Sequence, residues 1–172
     1  MLATAATGPE RQPNAALIAA LGDAVLPAEL GSDGVAQAVA EFQRWMDGYQ
    51  PGAEANHGYG TGRIEQLPPD PRPRWRSQLA ALDADASRTG PSFSALPRER
   101  RQALVRAMLQ DERGDALPNA LLARHVALAL LAHFYNSPAA ADLCYDAQIG
   151  RQECRSLSAQ RQRPLPLARS ER

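Results

Sequence analysis

The chain has 172 residues, 44% of them hydrophobic and only 5% aromatic, with a formal net charge of zero. That length fits one domain with a real core. A balanced charge excludes the strongly basic signature of a nucleic-acid-binding domain, and the longest apolar run, 126–132, is far short of the roughly 20 residues that cross a membrane.

Charge is unevenly distributed along the chain. Residues 1–71 carry nine acids and three Arg, a net of −6, whereas residues 72–172 carry sixteen Arg and ten acids, a net of +6. Such polarity helps to orient a docking event. Every basic side chain is Arg; a GC-rich coding bias accounts for that, and Arg also makes more bidentate contacts than Lys.

Residues 1–13 read as a flexible N-terminus without a charged leader region, an apolar segment or a twin-arginine pair. The chain as written is therefore expected to be cytoplasmic, and periplasmic if a leader was removed or a partner exports it. A helical domain is expected over 14–145. The first helix should span 14–26, with Leu17, Ile18, Leu21 and Val25 on one stripe and Pro27 as its stop. A second should start at a Ser32 or Asp33 cap, bury Val35, Val39, Phe42 and Met46 with Trp45 alongside, and end at Gly48. Residues 49–72 hold four Gly and four Pro without periodicity and form a long connection.

A third helix should begin near Pro73 with Trp75, Leu79, Leu82 and Ala86 on one face and close at Gly90. The fourth follows Pro97 and presents Leu104, Val105, Met108 and Leu109. The fifth, apolar on every side, is expected over 118–136, about 28 Å long. A short sixth should start at a Ser137 cap with Pro138 in its first turn. The fold class is therefore all-α: an irregular bundle of five to six helices with long loops. An extended, Arg- and Pro-rich tail over 146–172 holds too few large apolar residues to build a core of its own.

Chemistry is sparse in this sequence. No Walker loop, nucleophile elbow or HExxH occurs. The HGYGTG run at 57–62 lacks the strand and helix that would make it a phosphate loop, and reads as a surface turn or a loop touching a partner. His125 and His133 fall on the fifth helix at i,i+8, a poor spacing for one metal ion, with no third ligand evident. Asp83 and Asp85, and Asp111, Glu112 and Asp115, read as solvated faces, because paired catalytic carboxylates must converge in a cleft. No catalytic, cofactor-binding or metal-binding residue is assigned. Cys144 and Cys154 match no zinc spacing; a buried free thiol, an internal disulfide and an intersubunit disulfide all remain open. The Arg72-Pro-Arg-Trp-Arg76 cluster mixes residue types enriched in interface hot spots. Trp75 suits either a core or an interface, as do Phe134 and Tyr135.

Three stretches together resemble a known family: AALIAALGDAVLPAE, then LAALDADASRTGPSFSALPRERRQALVRAM, then HFYNSPAA. They are similar to the gluconate 2-dehydrogenase subunit 3 family, the small subunits of bacterial flavin-dependent sugar and alcohol dehydrogenases. The sequence departs from that family after Pro138, where AAADLCY replaces a Tyr-Gly-Gly-Asn run, and it carries no twin-arginine leader. The resemblance implies a non-catalytic subunit that holds no cofactor itself. It would bind, stabilise and help mature a large FAD-dependent dehydrogenase subunit, with a cytochrome c subunit as a further partner. The expected interface comprises Trp75, Phe134, Tyr135, Cys144, Tyr145, Arg151, Cys154, Arg155, Arg161 and Arg163, with the arginines as rim pairs. No nucleic acid and no direct membrane insertion are expected. The competing readings are a generic helical adaptor without a dehydrogenase partner, and a stand-alone enzyme.

Overall fold

The computed structural model describes residues 11–55, 65–88, 90–112 and 116–145. Among them are six α-helices, α1 (Arg11–Val25), α2 (Gly31–Asp47), α3 (Arg72–Ser87), α4 (Arg98–Met108), α5 (Val126–Tyr135) and α6 (Pro138–Tyr145), with two 3-10 turns, Ala28–Leu30 and Phe93–Ala95. No strand occurs among the described residues. The all-α expectation holds.

The first helix begins before residue 14. Pro13 lies in its first turn, where the missing N–H has no intrahelical partner to lose. Its predicted stripe packs inward: Leu17, Ile18 and Leu21 are buried, and Val25 packs half-buried against the core. The chain then turns through Ala28–Leu30, and Gly31 adopts φ +65. That left-handed conformation favours Gly and lets α2 start directly. The predicted Ser32 or Asp33 cap is therefore not used: Leu30 precedes α2 with no side-chain capping bond. Val35, Val39, Phe42 and Met46 are buried as the spacing requires.

α1 contacts α2, α3, α4 and α5 and so sits at the centre of the bundle. Where α1 meets α2, a Cβ added to Gly22 would stand 2.3 Å from Val39 Cγ2. α4 fastens the end of α1 from outside. Arg98 Nη2 donates to the Leu26 carbonyl at 3.0 Å, Gln102 Nε2 to Ala24 at 3.1 Å, and Arg101 Nη2 to Asp23 at 2.6 Å. Arg98 and Gln102 thus serve carbonyls that a helix C-terminus leaves without partners, while Arg101 pairs with the Asp23 carboxylate.

The 49–72 connection contains pairing that the sequence pattern does not announce. Its two described arms run antiparallel, with Leu67 N donating to Ala53 O at 2.7 Å and Gly52 N to Leu67 O at 3.1 Å, around a single bridge between Glu54 and Gln66. Tyr49 Oη donates to the Pro68 carbonyl at 2.5 Å. Burial pushes the Tyr49 phenol above its ordinary value, and nearby Asp70 adds to the shift. Arg72 closes the loop with two donations from Nε to Asp70 at 2.8 and 2.9 Å, and one from Nη1 to Met46 O at 3.1 Å.

α3 buries Trp75, Leu79, Leu82 and Ala86, the predicted face, and ends at Ser87 rather than Gly90. On α4, Val105 is buried while Leu104 and Met108, with Leu109 just past its end, pack half-buried against the core.

The largest departure concerns α5, which spans only Val126–Tyr135, about 15 Å. Residues 118–125 are irregular, with a turn at 120–122. Asn119 takes the next amides twice: its Oδ1 accepts from Leu121 N at 2.9 Å and its carbonyl from Leu122 N at 3.0 Å. An Asn side chain competes with helix in this way. Further on, the Ala123 and Arg124 carbonyls accept from Arg74 Nη2 at 2.9 Å and Gln78 Nε2 at 2.8 Å, so they are diverted to α3. The helix that remains is enclosed as predicted: Val126, Ala127, Ala129, Leu130, Ala132 and Phe134 are all buried. Its small residues allow close packing, and Phe42, Phe93 and Phe134 supply the bulk, at about 1.5–3 kcal/mol of burial each. α6 follows with Ser137 Oγ accepting from Ala140 N at 3.3 Å, the predicted cap.

Candidate functional site

Among the described residues, the large apolar side chains left at the surface all fall late in the chain. Among the described residues, the exposed large hydrophobics are Leu117, Leu122, Tyr135, Leu143 and Tyr145, and all follow residue 116. α6 explains two of them. Ala140 is buried against the bundle, but Leu143, Cys144 and Tyr145 face outward, with Tyr145 83% exposed. Cys144 carries a free, exposed thiol, which removes the buried-thiol reading for that residue.

Two expected interface residues lie elsewhere. Trp75 is 3% and Phe134 2% exposed, so their side chains are core. The helical period decides both cases: Trp75 shares a stripe with Leu79, Leu82 and Ala86, and Phe134 shares one with Leu130 and Val126. The Trp75 indole nitrogen is buried without a hydrogen-bond partner among the described residues. Arg72 and Arg74 of the same cluster tie α3 to Met46 and Ala123. Tyr135 is half-exposed at the close of α5, its ring edge-on to Phe134 at 5.2 Å. Arg151, Cys154, Arg155, Arg161 and Arg163 lie outside the described residues, as does the 57–62 run.

Beside the exposed end is a cleft of about 470 Å³. α2 supplies Glu41 and Trp45 to it, the turn ahead of α5 supplies residues 119–121, and the α5–α6 corner supplies His133, Asn136, Ser137 and Pro138. The His133 ring lies 5.0 Å from Trp45 and 5.5 Å from Phe42. Burial holds the imidazole pKa below its ordinary value, and the Glu41 carboxylate pulls weakly the other way. Sequence reasoning missed this cleft, because only the fold brings residues 41, 45 and 133 together. The i,i+4 pairing of Glu41 with Trp45 on one face of α2 was the only local trace.

The carboxylates read as solvated do more than that. Asp83 accepts from the Phe93 amide at 2.8 Å and so anchors the Phe93–Ala95 turn on α3. Asp85 pairs with Arg88. Glu112 lies 3.3 Å from His125 Nε2 and 3.7 Å from Arg124 Nε, linking the end of α4 to the start of α5. His125 itself sits just before α5, not within it, so the i,i+8 placement on one helix does not hold. Among the described residues no three His, Cys, Asp or Glu side chains converge as a metal-binding group. No single helix there is long and apolar enough to cross a membrane.

The profile of the gluconate 2-dehydrogenase subunit 3 family matches residues 12–146, which include all six helices apart from the first residue of α1. The chain belongs to the gluconate 2-dehydrogenase subunit 3 family. As a member of that family it is a subunit of a dehydrogenase complex, which implies a larger dehydrogenase partner. The match ends one residue after α6, so most of the Arg-rich tail lies beyond it. Neither the curated proteins nor the solved structures yield a match to the chain.

Proposed function

We propose that this chain is the non-catalytic small subunit that binds, stabilises and helps mature a large FAD-dependent sugar or alcohol dehydrogenase subunit. The flavin belongs to that partner, and a cytochrome c subunit takes the electrons onward. The observation that supports the reading is the exposure of Tyr135 at the close of α5 and of Leu143 and Tyr145 on α6, the helix that precedes the Arg-rich 146–172 segment in the chain. Neighbouring exposed apolar side chains such as Leu143 and Tyr145 on one short helix are a common mark of an interaction site. Exposed Tyr anchors suit a protein interface, where aromatic rings lose area to the partner and Arg pairs on the rim set register.

On this reading the chain stabilises its partner by binding the folded form alone, which shifts the folding equilibrium by mass action. It travels to whichever compartment that partner occupies. Coexpression with a large dehydrogenase subunit from the same source is the test. The two chains should elute together, and flavin content and solubility of the large chain should fall when the small one is omitted. A large subunit that is soluble, flavinated and fully active alone would sink the proposal.

A further inference from the structure

The polar groups of the cleft between α2 and the α5–α6 corner are mostly acceptors. Glu41 accepts one hydrogen bond, from Gln37 Nε2 at 3.0 Å, and has lone pairs to spare. Asn136 commits its amide nitrogen to the Ala132 carbonyl at 2.7 Å, which leaves Oδ1 as an acceptor. Ser137 Oγ is occupied by the Ala140 amide. Trp45 contributes an aromatic surface beside the carboxylate. Asn119 has the opposite polarity: its Oδ1 serves Leu121 N, leaving its amide nitrogen to donate.

We propose that this cleft receives an arginine side chain carried on an extended segment of the large partner subunit. The guanidinium would stack on Trp45 and donate to Glu41 and to Asn136 Oδ1, while the Asn119 amide donates to a backbone carbonyl of the same segment. A planar guanidinium meets a carboxylate in a fixed fork and lies flat on an indole; an ammonium does neither as well. About 470 Å³ holds a long side chain with its backbone, where one water needs only about 30 Å³. Position argues for the partner as the source. Asn136, Ser137 and Pro138 lie directly between exposed Tyr135 and the exposed end of α6, so a segment seated here continues the docking face. The inference rests on the small-subunit reading above.

The probe is N-acetyl-arginine amide, titrated into the full chain and followed by NMR at Trp45, His133 and Asn136. Saturable shifts confined to those residues are expected. Affinity should be about tenfold weaker for the neutral isostere N-acetyl-citrulline amide and about threefold weaker for the lysine analogue. Glu41→Gln should abolish the preference for arginine, and Glu41→Asp should keep part of it; a thermal melt checks that both fold. If Glu41→Gln does not fold, the wild-type comparison of arginine with citrulline decides. Equal affinity for those two probes, or no saturable shift in the cleft, overturns the proposal. Changing Arg151, Arg155, Arg161 and Arg163 together to Gln should leave probe affinity unchanged; a tenfold gain would mean that the chain's own tail fills the cleft, and the partner assignment would fall. In the coexpressed complex, Glu41→Gln should weaken association about tenfold. A wild-type complex that forms and ignores that substitution removes the arginine slot but leaves the subunit reading intact. If the probe binds as expected and no complex forms in the wild type, the partner assignment and the subunit reading fall together.

Discussion

Gln78 holds the entrance to α5 through Val126: its Oε1 accepts the Val126 amide at 2.9 Å while its Nε2 donates to the Arg124 carbonyl at 2.8 Å. Val126 is the first residue of α5, and its N–H is one that a helix leaves without an intrahelical partner. One side chain from α3 thus caps a helix 48 residues further on. Gln78→Ala should lower stability by about 1–2 kcal/mol, read as a shift in the urea midpoint with unchanged slope. Gln78→Glu should fall between, since the acceptor for Val126 survives and the donor to Arg124 does not.

Gly22 sets how closely α1 approaches α2. A methyl there would stand 2.3 Å from Val39 Cγ2, and Val39 is a buried β-branched residue with little freedom to turn aside. Overpacking of this kind costs about 1–3 kcal/mol, against a helix-propensity gain of about 1 kcal/mol for Gly to Ala. Packing should win. Gly22→Ala should therefore lower the melting temperature by a few degrees, and the companion change Val39→Ala should recover part of the loss by clearing the contact.

The fold was legible wherever one stripe of apolar residues faces one core. Leu17 to Leu21, Val35 to Met46 and Trp75 to Ala86 pack where their spacing places them, and the Ser137 cap forms. The failures share a cause. Residues 118–125 look helical by composition, yet Asn119 forms a turn and two carbonyls there serve Arg74 and Gln78, partners about 50 residues away in sequence. The antiparallel arms around Glu54 and Gln66 are bonded through backbone groups, which leave no side-chain pattern. The candidate site was legible only in part: Tyr135, Cys144 and Tyr145 are exposed, but residue type alone could not separate interface from core for Trp75 and Phe134.

The Arg72–Asp70 pair should mark the acid limb of stability. Hydrogen bonding from Arg72 is the main cause that holds the Asp70 carboxyl below 3.8, with burial opposing. A carboxyl lowered in the fold stabilises above its unfolded value and loses that contribution as pH falls through the folded one. Both side chains are about 30% exposed, so the contribution is small, about 0.5–1 kcal/mol. Asp70→Asn should remove it, and the variant's stability deficit should shrink below about pH 4.

His133 has a pH signature of its own at a higher window. Burial lowers its pKa from 6.5, with Glu41 opposing, so the fold prefers the neutral ring. Below pH 6.5 the unfolded chain takes up a proton first, and stability falls as pH drops from there toward the lowered value. His133→Phe keeps an aromatic ring against Trp45 and Phe42 and removes the titration. Its urea midpoint should change less than the wild type's between pH 7.5 and 5.5. An equal decline in both proteins would place the acid sensitivity elsewhere.

The exposed end of α6 separates folding from association. Leu143 and Tyr145 are 37% and 83% exposed, so charging them removes little internal packing. Leu143→Glu with Tyr145→Glu should leave helix content unchanged and the melting temperature within about 2 °C, because surface changes away from special features stay within about 0.5 kcal/mol. In the complex the same two positions would bury glutamates against the partner without a counter-charge, which costs several kcal/mol. Copurification with the large subunit should then drop at least a hundredfold by quantitative pull-down. Ala140→Glu provides the contrast, since Ala140 is 2% exposed against the bundle and its substitution should unfold α6 and lower the melting temperature. If the surface pair leaves the complex intact, the docking face lies elsewhere on the molecule, and exposure of these side chains has another cause.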